Sequence, residues 1–103
     1  MGKAHITHCT ENDALDRGFD AGNYASAYVS ENYFKAWMKV SREKHNRSCL
    51  AAHPAAFQAA FTLGFYSTYE THEAPYSMQE EIVEADRRFG DKMRAINIAV
   101  DPR

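Results

Sequence analysis

No apolar run in this sequence approaches the length of a bilayer-spanning helix, so a helical membrane protein is not expected. Glycine is sparse and dispersed, at Gly2, Gly18, Gly22, Gly64 and Gly90, which leaves no glycine-rich loop to cradle a phosphate. There is no Gly-x-Ser-x-Gly elbow to present a nucleophilic serine. The N-terminal stretch MGKAHITHC lacks the apolar centre of a secretion signal, and Ile6 stands where a myristoylation pattern needs Ser or Thr. Cysteine is limited to Cys9 and Cys49, too few for a disulfide framework. These absences lead to the expectation of a non-enzymatic, cytoplasmic chain with free thiols and no cofactor.

What is present is an ordinary globular composition. The chain has 103 residues, 45% of them hydrophobic and 25% charged, with a net charge of −2. That length fits one domain, residues 1–103, able to bury enough surface to fold without a metal or a cross-link. The terminal segments 1–9 and 97–103 carry short alternating patterns and are expected to fray or to pair weakly.

The hydrophobic spacing is helical throughout. Leu15, Phe19, Gly22, Ser26, Val29, Tyr33, Trp37 and Val40 fall three or four apart, which predicts a long helix within 10–44, or two helices if Ser30 and Glu31 restart it. Thr10 with Asp13 supplies an N-cap and an acidic first turn. Pro54 suits the first turn of a second helix, whose rings Phe57, Phe61, Phe65 and Tyr69 recur every four residues and which runs to Glu70 or Thr71. Ser77 and Glu80 match a capping box before a third helix carrying Met78, Ile82, Ala85, Phe89, Met93 and Ile96. The expected fold is therefore an all-α bundle of three principal helices, four if the first is broken.

A short internal echo refines this. Leu15-x3-Phe19-x2-Gly22-x-Tyr24 repeats as Phe57-x3-Phe61-x2-Gly64-x-Tyr66. Ala14, Gly18, Ala21 and Ala25 give the first helix a small-residue face, complementary to the large Phe57/Phe61/Phe65 stripe. The two helices are expected to be antiparallel neighbours. Residues 15–22, Leu-Asp-Arg-Gly-Phe-Asp-Ala-Gly, also resemble the Gly-aromatic-x-Ala-Gly segment of ribosome modulation factor. That family is short and strongly basic, no other motif of this chain matches it, and no residue role is carried over.

The stretch HNRSCLAAH sets His45, Cys49 and His53 four residues apart. On one unbroken helix these would share a face as metal ligands. Pro54 disfavours helical geometry at His53, and Asn46 and Ser48 favour turns, so residues 45–53 are expected to form a connection between helices. The metal alternative is a zinc site assembled in space from His5, His8, Cys9, His45, Cys49 and His53, with His72 as a further candidate. A cysteine nucleophile would need a base and an orienting group in contact with it, and isolated cysteines more often fill a core.

Charge is segregated. Lys35, Lys39, Arg42, Lys44 and Arg47 are offset only by Glu43, and Lys35, Lys39 and Arg42 share one helical stripe. This stripe carries the nucleic-acid alternative, in which each cation displaces a counterion from phosphate. Residues 70–86 hold Glu70, Glu73, Glu80, Glu81, Glu84 and Asp86 without a Lys or Arg, and Arg87, Arg88, Lys92 and Arg94 follow. Aromatic residues exceed what three helices can bury. Tyr24, Tyr28 and Tyr76 are the expected surplus, and exposed rings of this type are enriched at protein contacts. The leading expectation is thus a protein-interaction module: an adaptor, regulator or inhibitor, of a kind that phages and plasmids encode. It would bind a protein partner and form a homo-oligomer, with Tyr24, Tyr28, Trp37 and Tyr76 as anchors and Glu80, Glu81 and Glu84 steering a basic partner.

Overall fold

A computed structural model describes residues 9–67 and 74–100. Among these the architecture is all-helical, with no strand. The elements are α1 (Glu11–Tyr28), α2 (Tyr33–Val40), α3 (Lys44–Ala52), α4 (Pro54–Ser67), α5 (Gln79–Ala85) and α6 (Asp91–Ala95). A 3-10 turn, Tyr76–Met78, leads into α5, and a π-helical turn, Asp86–Gly90, joins α5 to α6.

The capping box at the start of α1 forms as the sequence suggests: Asp13 N–H donates to Thr10 Oγ1, and Thr10 N–H donates to Asp13 Oδ2. The long periodic run does not stay one helix. It stops at Tyr28, and Asn32 starts α2 by accepting the Lys35 N–H on its side chain. An asparagine competes well for such cap positions because its oxygen satisfies an orphan amide, which tips the balance against continuation.

Residues 44–52 correct a second expectation, since they form α3 rather than a connecting loop. The turn-forming tendency of Asn46 is spent differently. From inside α3, its Nδ2 donates to the buried Val40 O, which also accepts the Glu43 N–H, and so helps cap the carbonyl end of α2. The effect of Pro54 is confined to His53, which leaves the helical region at φ −139° and ψ 71°.

The core lies between α1 and α4. Phe57, Phe61 and Phe65 are fully buried, together with Ala14, Leu15 and Ala25 of α1. Gly18 sits against Phe57 and Ala60, and Gly22 against Phe61 and Phe65, so numbering rises together along both helices and the pair is parallel, not antiparallel. The reason is visible at the helix starts. Cys9 and Cys49 are joined by a disulfide with Cα atoms 5.2 Å apart, and His53 Nε2 donates to Cys9 O at 2.9 Å. Two helices intervene, and they return the chain to the beginning of α1 before α4 departs.

The internal echo acquires a geometric meaning in this pair. Gly22 faces the carbonyl of Phe61, and Gly64 faces the carbonyl of Phe19. Equivalent positions of the two copies thus oppose each other reciprocally, which makes the α1–α4 crossing locally two-fold symmetric.

From α2, Tyr33 and Trp37 cover the outer face of α4. The Tyr33 ring lies 5.5 Å from Phe61 and from Phe65, and Trp37 lies 5.1 Å from Phe61. Thr62 donates to Gln58 O, so the buried Tyr33 hydroxyl donates to Thr62 Oγ1 at 2.8 Å. Burial, reinforced by the stacked Tyr33, pushes the Tyr66 phenol up to about 12. Its ordinary value is about 10, so the unfolded chain loses this proton first. The stabilisation is complete below pH about 10 and is expected to drain away as pH rises toward about 12. Denaturant titrations along this range should show the loss in the native protein and not in Tyr66→Phe.

At the other end, the helix that begins with α5 starts without the Ser77/Glu80 capping box: Ser77 lies within the 3-10 turn, which has no side-chain cap. The 97–100 segment is docked, not frayed. Asn97 adopts φ 70°, and the Ile98 and Asn97 N–H groups donate to Met93 O and Arg94 O. This is the left-handed cap that asparagine tolerates, and it turns Ile98 and Val100 back into the core. The proposed N-terminal pairing partner, residues 4–7, lies outside the described residues.

Candidate functional site

The disulfide removes the premise of free thiols. Both cysteines are consumed by it, so neither sulfur is a thiolate ligand or a nucleophile, and there are no free thiols to point to a reducing compartment. His53 is committed through Nε2 to Cys9 O, and since a carbonyl only accepts, that nitrogen carries the proton. His45 is exposed beside Glu43 at 3.7 Å. His5, His8 and His72 lie outside the described residues. Among the described residues no group of three His, Cys, Asp or Glu side chains is arranged to hold a metal ion.

The anchor residues expected from sequence are dispersed. Tyr24 and Tyr28 are exposed on α1 with ring centroids 5.3 Å apart, and Tyr76 is 93% exposed on the 3-10 turn. Trp37 is half-buried, its ring engaged with Phe57 and Phe61. The acidic residues Glu80, Glu81 and Glu84, in contrast, converge on a cleft of about 870 Å³ where α5 meets α2 and α4. Its floor includes Ala55, Ala59 and Thr62 of α4, and its apolar edges are Phe34 of α2 and Val83 of α5.

Phe34 and Val83 are 65% and 63% exposed, and together they leave the edges of this cleft apolar and uncovered. By composition alone Phe34 counts among the rings expected to be buried. Only one of two consecutive helical residues can face α4, and Tyr33 takes that place with its hydroxyl bonded to Thr62. The signal that distinguishes them is register: Tyr33, Ala36, Trp37 and Val40 form the inward face of α2, which places Phe34 and Met38 outward.

Phe34 also borders a second, shallower depression on α2, shared with Met38, Lys35, Lys39 and Arg42. The apolar patch therefore has a basic margin on α2 and an acidic margin on α5. Lys35, Lys39, Arg42, Lys44 and Arg47 are all exposed, and none pairs with a described carboxylate. The later basic cluster is different, apart from Arg88, which pairs with no described carboxylate, lies over the Phe89 ring and lines the same cleft as Glu80, Glu81 and Glu84. Arg87 pairs with Glu84 at 2.6 Å, Lys92 with Glu11 at 2.9 Å, and Arg94 with Asp91 and Asp86. The hydrogen bond from Arg87 holds the Glu84 carboxyl below its usual range.

A second cleft, of about 850 Å³, opens between α1 and α3 over the disulfide. Asp13, Asp16, Asp20 and Glu43 line it, along with Arg17, Tyr24 and Asn46. Desolvation and the neighbouring Asp16 raise the Asp20 pKa, while Arg17 opposes the rise. No helix of the described residues is long and apolar enough to cross a membrane. Comparison with protein-family models, with characterised proteins and with solved structures finds no match to this chain.

Proposed function

We propose that this chain is a non-enzymatic protein-interaction module that docks its partner on the face shared by α2, α4 and α5. The observation that carries this reading is the exposed pair Phe34 and Val83 at the edges of an apolar cleft, between margins of opposite charge. Rings and branched side chains at the centre of a patch supply binding energy when water is excluded around them, and charged rims set orientation. A second copy of the chain meets both margins at once. In a two-fold dimer the Lys35/Lys39/Arg42 margin of one protomer faces the Glu80/Glu81 margin of the other, and Phe34 lies close to the axis. Nucleic acid fits the same surface less well, because the carboxylates beside Phe34 would repel phosphate.

Sedimentation equilibrium over a range of concentrations tests this reading. Phe34→Asp is expected to weaken self-association by about tenfold or more, the scale of a central anchor. Lys39→Glu should weaken it, and Glu81→Lys in the same chain should restore it, since those two facing positions then exchange sign. A strictly monomeric native protein, unchanged by any of these substitutions, would remove the self-association reading. Restoration failing while Phe34→Asp still weakens assembly would point to a different orientation of the two copies.

A further inference from the structure

We infer that the cleft between α1 and α3 is a binding site for a guanidinium group, formed by the Asp13, Asp16, Asp20 and Glu43 carboxylates, with Asn46 and its unpaired amide oxygen in the wall. An acidic cleft alone would be only a solvated surface. Asn46 makes the difference. It is 1% exposed, it lines this cleft, and its Oδ1 has no hydrogen-bond partner. The amide cannot be turned over to relieve this, because Val40 O is an acceptor and requires the Nδ2 donor where it stands. A buried carbonyl without a donor is costly, so a fold that retains one at the wall of a cleft has a place for a donor to arrive.

The surroundings define which donor. Four carboxylates face the Arg17 guanidinium and the His45 imidazole beside Glu43, so the balance of charge in the cleft favours a cation. Asp16 and Asp20 are exposed one helical turn apart and repel each other, and a cation between them and Glu43 removes that repulsion. A metal ion needs several oxygen ligands closing within about 2.6 Å of one point, and the described residues offer no such cluster. A guanidinium suits the spread arrangement better. Its donors project in fixed directions in one plane, enough to serve a neutral amide oxygen and more than one carboxylate together. Tyr24 lines the same cleft, 52% exposed, and supplies an aromatic face on which such a plane can rest. The disulfide and the His53–Cys9 hydrogen bond fix the ends of α1 and α3 that form the walls. This site is separate from the α2/α4/α5 face, so it stands or falls independently of the docking reading.

The test is a nuclear magnetic resonance titration of the oxidised full chain, reading the Asn46 side-chain amide. Methylguanidinium, agmatine and a capped arginine peptide are the probes, and tetramethylammonium, which has charge but no donor, is the control. The Asn46 amide signals are expected to shift and saturate with the three guanidinium probes and not with tetramethylammonium. Asp16→Asn with Asp20→Asn, both exposed and free of structural bonds to α3, should weaken the binding by about tenfold or more. Asn46 itself is left in place because it holds the end of α2. Tighter binding of agmatine would identify a small free ligand, and tighter binding of the peptide an arginine presented by a partner. Either supports the site. Shifts that fail to saturate, that match those of tetramethylammonium, or that persist unchanged in the double variant would overturn it.

Discussion

Replacing Gly22 or Gly64 with valine is expected to destabilise the fold by on the order of 4 kcal/mol or more, enough to abolish folding in a domain of ordinary stability. A side chain at Gly22 would have its first carbon driven into the Phe61 carbonyl and within 2.7 Å of the Phe65 amide nitrogen. At Gly64 it would meet the Phe19 carbonyl and its Cα atom, at 3.2 Å. In both cases the obstacle is backbone, which cannot rotate aside as a side chain can. The helices would have to separate, and Phe57, Phe61 and Phe65, now completely buried, would lose their packing along the whole crossing. Gly90 provides the contrast. A methyl group there first meets the carboxylate of Asp86 and the guanidinium end of Arg94, both able to move. Gly90→Ala should therefore be near neutral, its lost contacts offset by a helix-propensity gain of about 0.5–1 kcal/mol. Thermal and denaturant unfolding of the three variants would check this. A Gly22→Val protein as stable as the native one would refute the close parallel crossing.

The same crossing shows what the residues disclosed and what they withheld. Helical periodicity, the Thr10 cap and the large-against-small pairing are local or pairwise patterns, and each is written directly in residue spacing. The direction of the α1–α4 pair is not, because it depends on whether the chain between them forms a loop or further helices. With residues 45–53 as a mere connection, α4 would be the return stroke of a hairpin, hence antiparallel. Once α3 forms and Asn46 caps α2, the chain has already returned, and α4 must run alongside α1. The echo between Phe19/Gly22 and Phe61/Gly64 was legible as a repeated packing device, and its two-fold relation required the orientation. The candidate surfaces followed a similar division. Segregated charge was evident from sequence, so the acidic margin was found. Phe34 and Val83 were missed because hydrophobicity alone does not say which of two adjacent apolar residues a helix turns outward. The buried amide oxygen of Asn46 is invisible without coordinates, since burial and an absent partner are both properties of the fold.

Breaking the Cys9–Cys49 bond is expected to lower stability by about 4 kcal/mol, through the entropy returned to an unfolded chain whose cross-linked residues are 40 apart. For a domain of this size that corresponds to a fall in Tm of roughly 15–30 °C. The loss should be concentrated in one region first. Cys9 precedes the capping box of α1, Cys49 is buried in α3, and His53 reaches back to the Cys9 carbonyl, so the bond holds the start of α1 against the joint between α3 and α4. The Phe57–Phe65 stripe and its glycine contacts lie further along and do not require it. The melting curve of the reduced protein and that of the Cys9→Ala/Cys49→Ala variant should agree with each other, both well below the curve of the oxidised protein. Hydrogen exchange should show early opening of α3 and the first turn of α1 on reduction, ahead of α4. The bond itself is checked by thiol titration of denatured, unreduced protein, where two free thiols would refute it. If the bond is present, the cleft between α1 and α3 has one wall set by redox state. Guanidinium binding measured before and after reduction should then weaken in step with the loosening of α3, while self-association through Phe34 and Val83 on the opposite margins should not.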